Sequence, residues 1–150
     1  VLDPSRTLDA MERGTLYHDY FVRRWTRSLR AKQAHWPGHY DFETLLRSGD
    51  LRHMTAELVS RHTDFEHCEA YLAGYAITGA RLATLRVPAR ILIADDDPII
   101  PVIDVAGLAV SPHLQVIRTR NGGHCGFMDS FGAPSFADRF VAEQFAGFGG

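Results

Sequence analysis

The chain has 150 residues, of which 45% are hydrophobic and 11% aromatic, and its formal net charge is -2 at pH 7. The apolar content excludes a disordered chain, and the near-neutral charge gives no electrostatic reason to expect a nucleic-acid or membrane-surface partner. Two cysteines without repeated spacing exclude a disulfide framework, and no apolar run approaches the roughly 20 residues that span a bilayer. We therefore expect one domain, or part of one, in the reducing cytoplasm.

The first half of the chain has the apolar periodicity of helices. Asp3 is a predicted N-cap with Pro4 in the first turn, and this helix should stop near Gly14. The longest helix is predicted over residues 16–36, where we interpret several arginines as a solvated face rather than a binding patch. Its predicted apolar face consists of Tyr17, Tyr20, Phe21, Trp25 and Leu29. Three shorter helices are predicted over residues 42–47, 51–60 and 65–76, with Asp41 and Asp50 as caps for the first two.

After Pro88 the pattern changes to that of a parallel sheet. Residues 91–93 form a continuous apolar run, which is expected of a strand buried on both faces, and residues 114–119 form a second predicted strand. A short helix is predicted between them at residues 103–108. The last helix is predicted over residues 135–148. Strand, helix, strand, helix is a doubly wound α/β pattern, but two strands are too few to complete such a domain.

Each predicted strand is followed by a candidate catalytic residue. Asp97 lies in the run DDDP after the first strand, and His124 lies in NGGHCGF after the second. Because the carboxyl ends of parallel strands meet at one edge of a sheet, we expect these side chains to meet. A catalytic triad uses a buried carboxylate to orient an imidazole, whose other nitrogen takes the proton of the nucleophile. The paired glycines indicate backbone positions that need a positive φ or a close approach.

Asp97 is the preferred acid among three consecutive aspartates. The prolines at positions 98 and 101 bracket the turn, and Asp97 directly precedes the first of them. Asp96 is the second choice. Asp95 is more typical of a residue that caps or bonds locally.

The residues LRVPARILIADDDPIIP resemble the segment of α/β-hydrolases that carries the catalytic acid. GGHCGF resembles the GGHxGF motif of the YheT-like family of predicted esterases and lipases, and the opening residues VLDPSRTLDAMERG and YHDYFVRRWTRSLRAK are similar to that family as well. The resemblance implies the C-terminal portion of an α/β-hydrolase fold. Residues 1–85 would be a mainly helical lid or connector, and residues 86–150 the final strands and helices. It also implies that Asp97 is the acid and His124 the base.

The nucleophile of that family is missing from the sequence. No serine lies in a GxSxG elbow between a strand and a helix. For the whole protein, the resemblance implies a serine hydrolase that cleaves small acyl esters through an acyl-serine and requires no cofactor or metal. We expect this chain to be a fragment of a protein roughly twice as long, and inactive alone. The missing N-terminal half, or another copy, should cover the open edge of strand 91–93.

Other interpretations are weaker or stay open. A receiver domain also has an acidic cluster, which binds Mg²⁺, but it needs a later lysine, and Lys32 is the only lysine. Residues 62–68 contain histidine, acid and cysteine side chains that are too closely spaced for a typical metal site, and a polar helix start is predicted instead. Cys125 could be a thiol nucleophile or a small buried thiol. A non-catalytic interaction module with structural DDDP and GGH turns stays open, and it predicts a wide separation of Asp97 from His124.

Overall fold

A computed structural model describes residues 1–147 of the chain. They form two compact units, one made of residue 1 and residues 3–76, and the other of residue 2 and the chain from Ile77 onward. The first unit is helical, and the second contains a two-stranded parallel sheet with flanking helices. The helical unit ends at Ala76, whereas the predicted helical segment extended to Leu85. Residues 77–85 connect the two parts of the chain and belong to the unit that contains the sheet. The N–H of Gly79 donates to the carbonyl of Gly107 at 2.7 Å.

The helices of the first unit begin where polar side chains can cap them. These helices are α1 (Pro4–Arg13), α2 (Thr15–His35), α3 (Glu43–Leu46), α4 (Leu51–His62) and α5 (Cys68–Tyr75). The carboxylate of Asp3 accepts two backbone N–H groups in the first turn of α1, and Asp50 accepts one at 2.6 Å in α4. The predicted caps Asp3 and Asp50 are thus confirmed. The predicted cap Asp41 is wrong as the N-cap of α3, because Phe42 takes that position, although the Asp41 carboxylate accepts the N–H of Glu43 at 3.0 Å. His67 caps α5 by accepting the N–H of Ala70 at 3.0 Å, which places the start of that helix later than predicted.

Two clusters of buried apolar side chains form the core of the helical unit. One consists of Leu8, Leu51 and Leu72, and the other of Phe42, Leu45 and Met54. Trp25 of α2 packs against both clusters. The predicted apolar face of α2 is wrong for Tyr17 and Tyr20, which are 44% and 56% exposed. Each residue turns the helix by about 100°, so these two side chains lie about 80° and 140° away from Trp25 around the axis.

The sheet of the second unit consists of β1 (Ala89–Ala94) and β2 (Leu114–Thr119), as predicted. The strands are parallel, and Ala89 pairs with Leu114 at one end and Ala94 with Thr119 at the other. Of the predicted buried run, only Ile93 is buried, whereas residues 91 and 92 are half-buried. Burial on both faces is therefore achieved only towards the carboxyl end of β1.

Short helical segments accompany the sheet. Two 3₁₀ turns occupy Ala80–Leu82 and Val102–Gly107, the second at the predicted short helix. Helix α6 (Phe136–Ala146) begins at a capping box in which Ser135 and Asp138 bond each other's backbone N–H groups. Phe148, the last residue of this predicted helix, lies outside the described residues. None of the helices in residues 1–147 combines the length and the apolar character needed to cross a membrane.

Candidate functional site

The structure brings Asp97 and His124 together at the carboxyl end of the sheet. Because Ala94 pairs with Thr119, the two strands end level and their following turns emerge at the same edge. The His124 Nδ1 atom lies 3.2 Å from Oδ2 and 3.3 Å from Oδ1 of Asp97. These distances are within hydrogen-bond reach. The side chain of Asp97 is only 4% exposed, and that of His124 is 38% exposed.

Backbone amides orient the Asp97 carboxylate in its nearly buried position. Its Oδ1 atom accepts the N–H of Ile99 at 2.8 Å and that of Ile100 at 3.0 Å. Pro98 has no N–H, so the turn supplies its donors from the next two residues. A carboxylate withdrawn from water requires such donors to offset the cost of desolvation. Asp97 is therefore held in one orientation by its own turn as well as by the imidazole.

Asp95 has a different partner from its neighbour Asp97. Its Oδ1 atom accepts from Nη2 of Arg118 at 2.8 Å and from Nε at 2.9 Å. Arg118 belongs to β2, so the prediction that Asp95 bonds locally is wrong. Because Arg118 pairs in register with Ile93 at the end of β1, its long side chain reaches the first aspartate beyond that strand. This ion pair is on the surface, with 53% of the arginine and 41% of the aspartate side chain exposed.

Asp96 binds the backbone of the histidine loop. Its Oδ1 atom accepts the N–H of Gly122 at 2.9 Å and that of Gly123 at 2.8 Å. The hydrogen bond from Gly123 is the main reason that the pKa of Asp96 lies below its ordinary value; the bonds from Gly122 and Asn121 add to it, while partial desolvation opposes it. The three aspartates thus bind separate partners. In the part of the chain that the structure describes, no three His, Cys, Asp or Glu side chains form a potential metal site.

The two glycines before His124 meet two different requirements of the loop. Gly123 has a φ of 58°, in the left-handed region that favours glycine. Gly122 has no room for a side chain, because an added Cβ would lie 2.6 Å from Cδ1 of Phe127 and 2.9 Å from the Cβ of Ala94. The paired glycines had been predicted to serve a positive φ or a close approach, and each requirement falls on one of them.

Phe127 closes the loop and was not singled out from the sequence. Its N–H donates to the carbonyl of Gly122 at 2.9 Å, and its side chain is largely buried. Its φ of 43° is unusual for a residue other than glycine. The signal that could have revealed it is a large apolar residue directly after GGHCG, because a glycine-rich turn otherwise has little to anchor it.

The other candidate residues lie apart from this arrangement. Cys125 is exposed, so its interpretation as a buried thiol is wrong; in this loop Phe127 takes the buried position. His67 has its Nδ1 atom occupied by a backbone N–H as a helix cap, which agrees with the predicted polar helix start. Burial raises the pKa of the neighbouring Cys68 thiol, the charge of Glu69 raises it further and that of Arg52 opposes the shift, so the reactive thiolate form is disfavoured.

No protein-family model matches the chain, and no solved structure is significantly similar to it. The geometry of the site and the sequence motifs therefore carry the functional inference.

The pair of Asp97 and His124 can act as an acid–histidine relay. With its proton on Nδ1, the imidazole donates to Asp97, and Nε2 is then the proton-accepting nitrogen. Nε2 forms no hydrogen bond within residues 1–147, so it can accept a proton from a hydroxyl group or a water molecule. Such an arrangement can perform general base catalysis, in which the proton is later returned to a leaving group.

Proposed function

We propose that Asp97 and His124 are the acid and the base of a serine hydrolase with the α/β-hydrolase fold. The single observation that carries the proposal is the 3.2 Å contact between the imidazole of His124 and the nearly buried carboxylate of Asp97. The acid and the histidine follow successive parallel strands in the chain order found in α/β-hydrolases. The ester-cleaving activity comes from the resemblance of the DDDP and GGHCGF motifs to those of YheT-like esterases and lipases.

In the proposed reaction His124 and Asp97 act in both halves of the cycle. His124 Nε2 takes the proton of the serine hydroxyl as its oxygen bonds the carbonyl carbon of an acyl ester. Asp97 holds the imidazole by Nδ1 and stabilises the imidazolium that forms. His124 then gives the proton to the departing alkoxide, which leaves an acyl-serine. A water molecule repeats the sequence and releases the acid and the free serine. These steps call for no cofactor.

The nucleophilic serine and the oxyanion hole are proposed to lie outside this sequence. None of its serines occurs in a GxSxG elbow. Within the described residues β1 pairs only with β2, and Ile91 and Leu92 are half-buried. The N-terminal half of the hydrolase, or another copy of the chain, would cover this strand. Two free thiols, Cys68 and Cys125, fit a reducing cytoplasm for the whole protein.

The alternative function, a non-catalytic interaction module, is less well supported. In such a module the DDDP and GGH turns would be merely structural, and a wide separation of Asp97 from His124 was expected. The contact at 3.2 Å favours the relay. An interaction module also has no need for an imidazole whose outer nitrogen is available to accept a proton.

The test is the hydrolysis of short-chain p-nitrophenyl esters by a longer protein that contains this sequence and the upstream GxSxG segment. Asp97→Ala is expected to lower kcat by about 10⁴-fold and His124→Ala by about 10⁶-fold, as the corresponding losses from hydrolytic triads do. Asp95→Ala is the matched control from the same acidic run, and it should keep nearly full activity. Undiminished turnover in both triad variants would defeat the proposal.

A further inference from the structure

Asp96 links the end of β1 to the loop that carries His124. Its Oδ1 atom accepts hydrogen bonds, at 2.9 and 2.8 Å, from the N–H groups of Gly122 and Gly123, the two residues directly before the histidine. The second of these residues, Gly123, has a φ of 58° and sets the direction in which the backbone enters His124. Asp96 therefore acts on the backbone that presents the imidazole.

The opposite side of the same loop is also fixed. The carbonyl of Gly122 accepts the N–H of Phe127 at 2.9 Å, and the Phe127 ring occupies the space that a side chain at Gly122 would need. His124 thus follows Gly123, whose amide is bonded to Asp96, and is followed three residues later by Phe127, which is anchored by its buried ring. Of these contacts, the hydrogen bonds to Asp96 are the ones that involve a charged side chain. They join the histidine loop to the turn that carries Asp97.

We propose that Asp96 is a positioning residue for His124, which holds the glycine turn at residues 122–123 so that the imidazole meets Asp97. The inference rests on the proposed acid–histidine relay and adds a residue to it. It differs from the role of a substitute acid, because the Oδ1 atom of Asp96 already accepts hydrogen bonds from two backbone amides. The hydrogen bonds from the glycine turn also lower the pKa of Asp96, because they favour its charged form.

The test is ¹⁵N NMR of the His124 imidazole in the 150-residue chain, at a pH at which the ring is neutral. The signals are assigned by comparison with His124→Gln. In the unmodified chain we expect the proton on Nδ1, facing Asp97. Asp97→Asn should move it to Nε2, as a triad aspartate-to-asparagine change does. Asp96→Ala should weaken the preference for Nδ1 through lost orientation, and Asp96→Asn should restore most of it because its amide oxygen still accepts N–H bonds.

The variants separate failure of the relay from failure of the positioning role. If Asp97→Asn leaves the proton on Nδ1, the relay is overturned and the role of Asp96 with it. If Asp97→Asn moves the proton but Asp96→Ala does not, only the positioning role is overturned. An equal loss in Asp96→Asn and Asp96→Ala would also overturn it. Asp96→Glu covers the case of a poorly folded alanine variant, since it keeps the charge but displaces the acceptor, and it should weaken the Nδ1 preference too.

Discussion

Replacing Gly122 by alanine tests whether the histidine loop is as closely packed as the structure indicates. The new methyl group would lie 2.6 Å from Cδ1 and 2.8 Å from Cε1 of Phe127, and 2.9 Å from the Cβ of Ala94. Carbon atoms in contact are normally about 3.5–4.0 Å apart, so the ring must move by about 1 Å. The backbone of Phe127 resists this movement because its N–H bonds Gly122 and its carbonyl accepts the N–H of Phe136, both at 2.9 Å.

We expect Gly122→Ala to destabilise the sheet-containing unit by about 1–2 kcal/mol. Overpacking of a well-packed site costs about 1–3 kcal/mol, and the smaller conformational freedom of alanine in the unfolded chain returns about 0.4–1 kcal/mol. Gly123→Ala should cost about 1–2 kcal/mol for another reason, the strain of a left-handed backbone, since its new methyl group meets nothing within 4 Å. Gly147→Ala is the control, because its nearest contact is an ordinary 3.6 Å.

The assay must observe the sheet-containing unit itself. Both tryptophans and all five tyrosines lie before residue 77, so intrinsic fluorescence follows only the helical unit. Urea unfolding followed by amide NMR signals from β1 and β2 reports the other unit directly. A Gly122→Ala variant whose free energy of unfolding stays within about 0.5 kcal/mol of the unmodified chain would refute the packing argument, since surface changes of no consequence fall in that range.

Three further predictions concern the two units separately. Arg52→Met should destabilise the helical unit by about 1–2 kcal/mol in fluorescence-detected urea unfolding. The reason is that Arg52 forms ion pairs with Asp9 and Glu69, both at 2.6 Å, at a partly exposed site. An equal loss at 1 M salt would contradict this ionic origin. Ser135→Ala should lower the free energy of unfolding of the sheet-containing unit by about 1 kcal/mol, because it removes the N-cap of α6. Ser135→Asp is the control that keeps a capping oxygen. Equal stability of the two variants in NMR-detected unfolding would disprove the capping role. The folded-state pKa of Asp96 is lowered from an ordinary 3.8, so its stabilisation is complete above that value and is lost as the pH falls through the lower one. The protection of the Gly122 amide, measured as its exchange rate relative to that of an unstructured amide at the same pH, should fall in that acidic window, and an unchanged protection would contradict the assignment.

Local signals in the sequence were sufficient to predict most element boundaries. The caps at Asp3, Asp50 and Ser135 begin helices because a side-chain oxygen there satisfies N–H groups that no helical carbonyl can reach. Strand β1 was predicted from its continuous apolar run, which favours a parallel sheet, and β2 from the turn residues on either side of it. The exposed positions of Tyr17 and Tyr20 were missed, since a periodic pattern does not show how wide a face the neighbouring helices cover.

The meeting of Asp97 with His124 followed from strand order, but the partners of the other aspartates did not. Parallel strands place their following turns at one edge whatever the loop sequences are, so proximity of the two residues could be predicted. Asp95 and Asp96 bind an arginine and two amides that lie far away in the sequence. Three consecutive carboxylates look alike in a sequence, and the direction of each depends on the turn geometry. The catalytic roles and the family stay predictions.

The level ends of β1 and β2 limit which changes in chain length the site can tolerate. Asp97 and His124 project from separate turns, and their contact of 3.2 Å depends on how many residues each turn contains. One residue of extended chain spans about 3.3 Å, so a single insertion or deletion in either turn would shift one partner by about the whole length of the hydrogen bond. Substitutions within the strands leave this count unchanged. Natural variation should therefore appear in the strands as exchanges of apolar residues, while the lengths of the two turns stay constant.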